Sequence, residues 1–256
     1  MKHTYYQIVL KLKSPLSVGS GTNETSDSDV VLDGRGMPYI PASSIAGVMR
    51  HYIKNEEKRK EIFGYINGEQ SRQGKIIFYD AVLISECFRT VRDSVALKNK
   101  VAEKGAKFDF QVVETGAEFV TYLEILKENE KICSDAEILI AAMKSSSLRF
   151  GKKTSRGYGI TEIKSLKKAE FDFEKDDEIS EWLYFDATDM KSWESISEYE
   201  LKASDHENDI IKMSLRQNGA VSIRVYTTAV STDSEKMPDY KQMTLKDGTP
   251  VIPGTS

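Results

Sequence analysis

Cysteine is scarce in this chain. Cys87 and Cys133 are its only two, and they lie far apart. They supply neither a disulfide framework nor the close spacing of a thiolate metal site, which points to a reducing compartment. Histidine is almost as sparse, and His3, His51 and His206 are scattered. No apolar run approaches the ~20 residues that cross a bilayer, and the N-terminus has no hydrophobic signal core. These absences imply a cytoplasmic protein with no membrane partner. An excess of positive charge is also missing: 36 Lys and Arg stand against 40 Asp and Glu, for a net charge of -4. A histone-like polycation is excluded. A local basic groove is not, because nucleic-acid binding depends on where the charges sit. The apolar fraction of 39% is low but adequate for a core. A length of 256 residues holds one large domain or two modest ones.

What the chain does have is a phrase that occurs twice. The first copy reads Asp33-Gly34-Arg35-Gly36-Met37-Pro38-Tyr39-Ile40-Pro41-Ala42-Ser43-Ser44. The second reads Asp247-Gly248-Thr249-Pro250-Val251-Ile252-Pro253-Gly254-Thr255-Ser256. Each follows a strand-like stretch, residues 6–12 and 221–226. A repeat at a domain's distance means two copies of one unit. The expected organisation is a first unit at 1–168, an acidic connecting segment at 169–212, and the opening of a second unit at 213–256. An opening fragment cannot bury a core alone, so it is expected to continue or to be completed by another chain.

Along the first unit, residues 5–12 alternate as a strand. Residues 14–29 read as a polar loop, and 30–32 as a short strand closed by the Asp33-Gly34 turn. Ser43 or Ser44 is expected to cap a helix with Ile45, Val48, Met49 and Tyr52 on one face. This helix fades into the charged run 55–60. Residues 75–84 read as one strand. Residues 85–105 form a polar excursion carrying Arg89, Arg92, Lys98, Lys100 and Lys104, suited to a protruding hairpin. Strands at 106–113 and 119–126, a helix capped by Ser134, and a strand at 159–166 complete the unit. The order is βαββαβ, the ferredoxin-like α+β fold also used by RNA-recognition domains. The acidic stretch 168–206, with Trp182 and Trp193, is expected to connect and to pack on a neighbour.

The stretch richest in chemistry is Leu148-Arg149-Phe150-Gly151-Lys152-Lys153-Thr154-Ser155-Arg156-Gly157-Tyr158-Gly159-Ile160. Glycines let a backbone approach an anion closely, and the cations supply charge. It lies between a helix and a strand, so it is not a Walker loop. A basic solvated turn is the plain alternative. Taken with Val31-Leu32-Asp33-Gly34 and Pro38-Tyr39-Ile40-Pro41-Ala42-Ser43-Ser44-Ile45-Ala46-Gly47, it resembles the RAMP superfamily of CRISPR-associated proteins. Residues 91–97 through 105–108 are similar to the thumb hairpin of backbone subunits in type III effector complexes. The resemblance covers about residues 5–166, and a second copy begins near Met213.

The resemblance implies binding of CRISPR guide RNA, with complementary target RNA and other RAMP or Cas subunits, or fused RAMP domains, as partners. Guide contacts are implied for Ser43, Ser44, Arg50, Lys152, Lys153, Arg156, Gly157 and Gly159. A helix start offers free N–H groups to an anion, and plain capping is compatible with that role. Arg50 reads equally as a solvated helix face. The hairpin resemblance adds Arg89, Arg92 and Lys98. In RAMP subunits that cut target RNA, an Asp stands just before the short strand. Asp27 falls there, with Asp29 the near alternative, which implies endoribonuclease activity with Mg2+ or another divalent cation at Asp27. Asp with Ser and Gly is also ordinary loop chemistry. In the second copy, spacing puts Lys241 or Gln242 near this position, with Asp239 slightly upstream. Two alternatives stand beside the cutting subunit. One is a non-catalytic structural RAMP subunit. The other is an endonuclease that processes precursor guide RNA through a His general base, for which His3 and His51 are candidates.

Overall fold

A computed structural model of the chain describes residues 2–19, 29–98, 101–125, 130–201, 214, 216–226, 240–244 and 248–252; within 93–107, and at 130, 224–226 and 240–241, only the backbone is described. The first strand, β1 (Lys2–Leu12), is buried without a break from Thr4 to Leu10. Alternation predicted a strand with one wet face. Both faces are covered instead, because the strand is central. Tyr6, Ile8, Leu10 and Leu12 enter one core, while Tyr5 and Val9 enter another.

The short β2 (Tyr39–Ile40) leads into helix α1 (Ala42–Tyr52), whose Ile45 and Met49 are fully buried. Pro41 occupies the cap position, and no side chain of its own bonds back. Ser43 and Ser44 therefore lie inside the first turn and do not cap the helix. A second helix, α2 (Glu56–Phe63), follows where the charged run was expected to fade. Its Asn55 cap accepts from the Lys58 N–H, Glu56 and Glu57 sit at its positive end, and Lys60 reaches back to Glu56 at 3.0 Å. Buried Ile62 anchors it.

The exposed hairpin β3 (Gly64–Asn67) and β4 (Gln70–Gln73) then leads to β5 (Ile76–Phe78) and β6 (Ala81–Leu83). The single strand expected at 75–84 is split. Phe78 faces Leu123 and Val82 faces Val120, so this side carries one residue more than its partner strand. The bulge places Asp80 outside the ladder. A long antiparallel hairpin, β7 (Arg89–Lys98) and β8 (Val101–Val113), rises next. Strand β9 (Glu118–Ile125) precedes helix α3 (Glu130–Lys144), which begins before Ser134, so Ser134 is internal and not a cap. Strand β10 (Thr161–Asp172) runs past the expected end at 166.

The sheet is antiparallel in the order β10-β1-β9-β6-β2, with β5 also on β9. Counting β5 and β6 as the second strand, this is the ferredoxin-like order fourth-first-third-second. Ile45 and Met49 of α1 join Ile132, Leu139, Ile140 and Met143 of α3 over one face. The opposite face is covered by α4 (Asp176–Tyr184) and a turn of 3-10 helix, Met190–Trp193. Trp193, 1% exposed, packs on Tyr122 and donates to the Ala187 carbonyl at 2.9 Å. The segment expected to pack on a neighbour thus packs on its own sheet. Among the described residues no helix is long and apolar enough to cross a membrane.

The second copy supplies β11 (Arg224–Tyr226) and β12 (Tyr240–Gln242). Its hydrogen bonds repeat those of the first. Val31 N–H donates to Val18 O, and Met243 N–H donates to Ile223 O. Val30 bridges Gly19, and Gln242 pairs with Arg224. Leu32 bridges Pro38, and Thr244 bridges Pro250. Residues 221–226 therefore correspond to 16–21, not to the strand at 6–12 as the repeat first suggested.

Candidate nucleic-acid interface

The basic loop begins where α3 stops. Ser146 adopts a left-handed conformation (φ 58°), and the Ser147 N–H returns to Ala142 O at 3.0 Å. Leu148 and Phe150 then plunge into the core, at 3% and 0% exposure, so Arg149 between them points outward. The loop is riveted to the chain leaving β1. Lys152 N–H donates to Ser17 O at 2.7 Å, Gly159 N–H to Pro15 O at 2.9 Å, and Ile160 N–H to Ser14 Oγ at 2.9 Å. A 3-10 turn, Thr154–Arg156, forms its tip.

Its glycines serve different ends. A Cβ at Gly159 would lie 1.9 Å from Phe150 O, so close backbone packing requires that glycine. Gly157 also has a positive φ (86°), yet open space surrounds its missing Cβ. Of the two glycines implicated in guide binding, Gly157 is free to meet a ligand and Gly159 is committed to the fold.

The cations divide in the same way. Lys152 is exposed. Lys153 instead turns back over the hairpin, with Nζ 3.8 Å from the Phe110 ring centre and 4.4 Å from that of Phe108. Burial, then the nearby Arg156 and Lys152, hold its pKa below the ordinary lysine value. Tyr158 lies edge-on to Phe110 at 5.9 Å, its hydroxyl pKa raised chiefly by burial. In the hairpin, Arg92 is paired with Glu114 at 2.5 Å, with side chains 11% and 4% exposed. It is tied internally. Arg89 is exposed at the hairpin base, and the side chain of Lys98 lies outside the described residues.

Helix α1 and the loop flank one cleft of about 480 Å³, lined by Gly47, His51, Lys54, Arg149 and Gly151 among others. Ser43, Ser44 and Arg50 do not line it. The Ala42 N–H at the helix start donates to Asp80 Oδ1 at 2.7 Å, so a carboxylate already sits where an anion was expected. Arg50 donates to Gly64 O at 3.2 Å. Sequence reasoning passed over Lys54 and Arg149 as contacts. The signals were present: Arg149 alternates between two core residues, and Lys54 lies about one helical turn beyond His51.

Asp27 lies outside the described residues. Asp29 is buried at 7% exposure beside the Val30 bridge. Among the described residues no group of three or more His, Cys, Asp or Glu could hold a metal ion. Asp27 is not among these residues, and a cation there would take its remaining ligands from RNA oxygens. The paired bridges of the two copies set the register of the described residues that follow the loop. Val30 matches Gln242, so counting back three residues from each reaches Asp27 and Asp239. This register sets Lys241 against Asp29 and not Asp27; Asp239, like Asp27, lies outside the described residues.

Residues 9–162 match the RAMP superfamily. The chain belongs to this superfamily. A chain from the cryo-EM structure of the Type III-B Cmr-beta bound to cognate target RNA has the same fold: TM-score 0.51 and 23% identity over 65% of this chain. The match spans 61% of that neighbour's length. A second, from the Type III-B Cmr-beta in the apo state, gives a TM-score of 0.47 and 14% identity over 62% of this chain and 96% of the other. A comparison with curated proteins found no match. The matched span begins within β1 and ends within β10, so it encloses the α1 cleft, the hairpin and the basic loop.

Proposed function

We propose that this RAMP protein binds CRISPR guide RNA as a backbone subunit of a type III-like effector, alongside other RAMP or Cas subunits. One observation carries the reading. The basic loop is hydrogen-bonded rigidly to the chain leaving β1, and it shares a cleft with α1 whose walls include Lys54 and Arg149. A fixed loop with exposed cations and an open Gly157 suits an RNA backbone. The logarithm of guide-RNA affinity should fall linearly with log salt, and neutralising Lys54, Arg149 and Lys152 together should flatten that slope. Affinity insensitive to salt, or a slope unchanged by the triple variant, refutes the reading.

The finer proposal is cleavage of complementary target RNA at Asp27, repeated at Asp239. Each carboxylate then serves one cut, with Mg2+ or a similar cation as its charge partner. Asp27→Ala and Asp239→Ala should each abolish one product of target cleavage and leave the other, and chelation should abolish both. Products that persist in both variants sink this proposal and leave guide binding untouched. One observation favours a second reading, precursor processing: His51 lines the cleft between α1 and the loop. His3 does not, being stacked on Phe173 at 4.7 Å beneath α4. Precursor cleavage undiminished in His51→Ala rules that reading out.

A further inference from the structure

A second pocket, about 400 Å³, lies on the other side of the basic loop, where the turn of the second copy meets the first unit. Lys13 and Arg156 stand on the first-unit side with Pro15 and Tyr158, and Met243 and Val251 come from the second copy. The volume falls within the ~300–1,000 Å³ of small-ligand sites. No carboxylate lines it, although Lys13 leans on Glu162 at 3.3 Å from outside. Among the described residues no acidic group pairs with Arg156. Apolar walls beside a cationic rim match one ligand chemistry, a flat ring carrying a phosphate. Ser14, Thr115 and Ser155 also line the pocket, and their hydroxyls can meet the polar edge of a base.

We infer that this pocket holds one nucleobase of the bound RNA between Tyr158 and the hydrogen-bonded pair Met243 and Val251, with its phosphate on Lys13 and Arg156. The inference rests on the RNA-binding reading above. Base-on-aromatic stacking is tolerant of sequence, so the pocket fixes a nucleotide's position without choosing its identity. The second copy thus completes a site that the first unit opens, and the loop reads RNA on two sides.

The test uses the whole chain, single-stranded oligouridine, and an abasic ribose-phosphate chain of equal length. Wild-type protein should prefer the base-bearing RNA by about tenfold, the effect of one lost stack. Val251→Ala and Met243→Ala should each weaken that preference while the abasic chain binds about as before, because no charge beside Lys13 and Arg156 changes. Photo-crosslinks from thiouridine should map to Tyr158, Met243 or Val251. A preference unchanged in both variants, with crosslinks only elsewhere, overturns the pocket but not RNA binding. Failure of wild-type protein to bind either chain overturns both.

Discussion

Lys153 and Lys152 are adjacent, and the structure assigns them opposite work. Lys153 Nζ lies 3.8 and 4.4 Å from two aromatic ring centres on the hairpin, while Lys152 is exposed. A cation over an aromatic ring contributes ~0.5–1 kcal/mol when exposed and ~2 kcal/mol when desolvated. Lys153→Met loses the attraction of two rings but also relieves the burial and like-charge repulsion that lower its pKa, so in urea unfolding it should shift stability by no more than about 1 kcal/mol. It should leave the salt dependence of RNA binding intact, because the lost charge faced Phe108 and Phe110. Lys152→Met should do the reverse. Each phosphate contact on a single strand contributes a slope of ~0.7 in log affinity against log salt. The Lys152 variant should lose about that much slope and, as an exposed substitution, stay within ~0.5 kcal/mol in stability. Anisotropy titrations across a salt series, paired with urea melts, read both quantities. A slope that falls in Lys153→Met as much as in Lys152→Met refutes the division.

Gly159→Ala drives a Cβ into Phe150 O and should destabilise by well over the ~1–2 kcal/mol of a left-handed alanine, which is all that Gly157→Ala, in open space, should cost; denaturant midpoints compare them. Arg92→Ala leaves Glu114 buried and charged, an expected loss of ~3–5 kcal/mol that Glu114→Gln in the same chain should partly restore in thermal unfolding. Glu61 is held from 4.5 to about 2, first by its hydrogen bond to Lys75 and then by Lys131. The folded value is the lower one, so this stabilisation is present above about 4.5 and is lost as pH falls toward 2. Stability measured across that window should slope less steeply in Glu61→Gln. The effect is small, because Glu61 keeps 21% of its side chain exposed and Lys131 keeps 60%.

The order of strands and helices was legible because periodicity and the repeated phrase are local signals. Continuous burial of β1 was not, since it depends on α4 returning from far along the chain to cover Tyr5 and Val9. The split at Asp80 was hidden for a similar reason: its carboxylate satisfies the Ala42 N–H, a partner distant in sequence. The basic loop was found by composition. Which of its cations face outward could not be, because Lys153 is claimed by Phe108 and Phe110 of the hairpin, as Arg92 within the hairpin is by Glu114. The register of the second copy failed in sequence because two Asp-Gly pairs suggested one match, and hydrogen bonds from Val31 and Met243 establish another.

The covered second face of the sheet sets this unit apart from domains that lay RNA across an open sheet. Tyr5, Tyr122 and Phe171 form an aromatic wall on which unpaired bases of any sequence would stack. Trp193 and α4 occupy that wall. The covering leaves unpaired bases no platform on this face, so any RNA the chain holds would have to be met by its loops, which can change without disturbing the core.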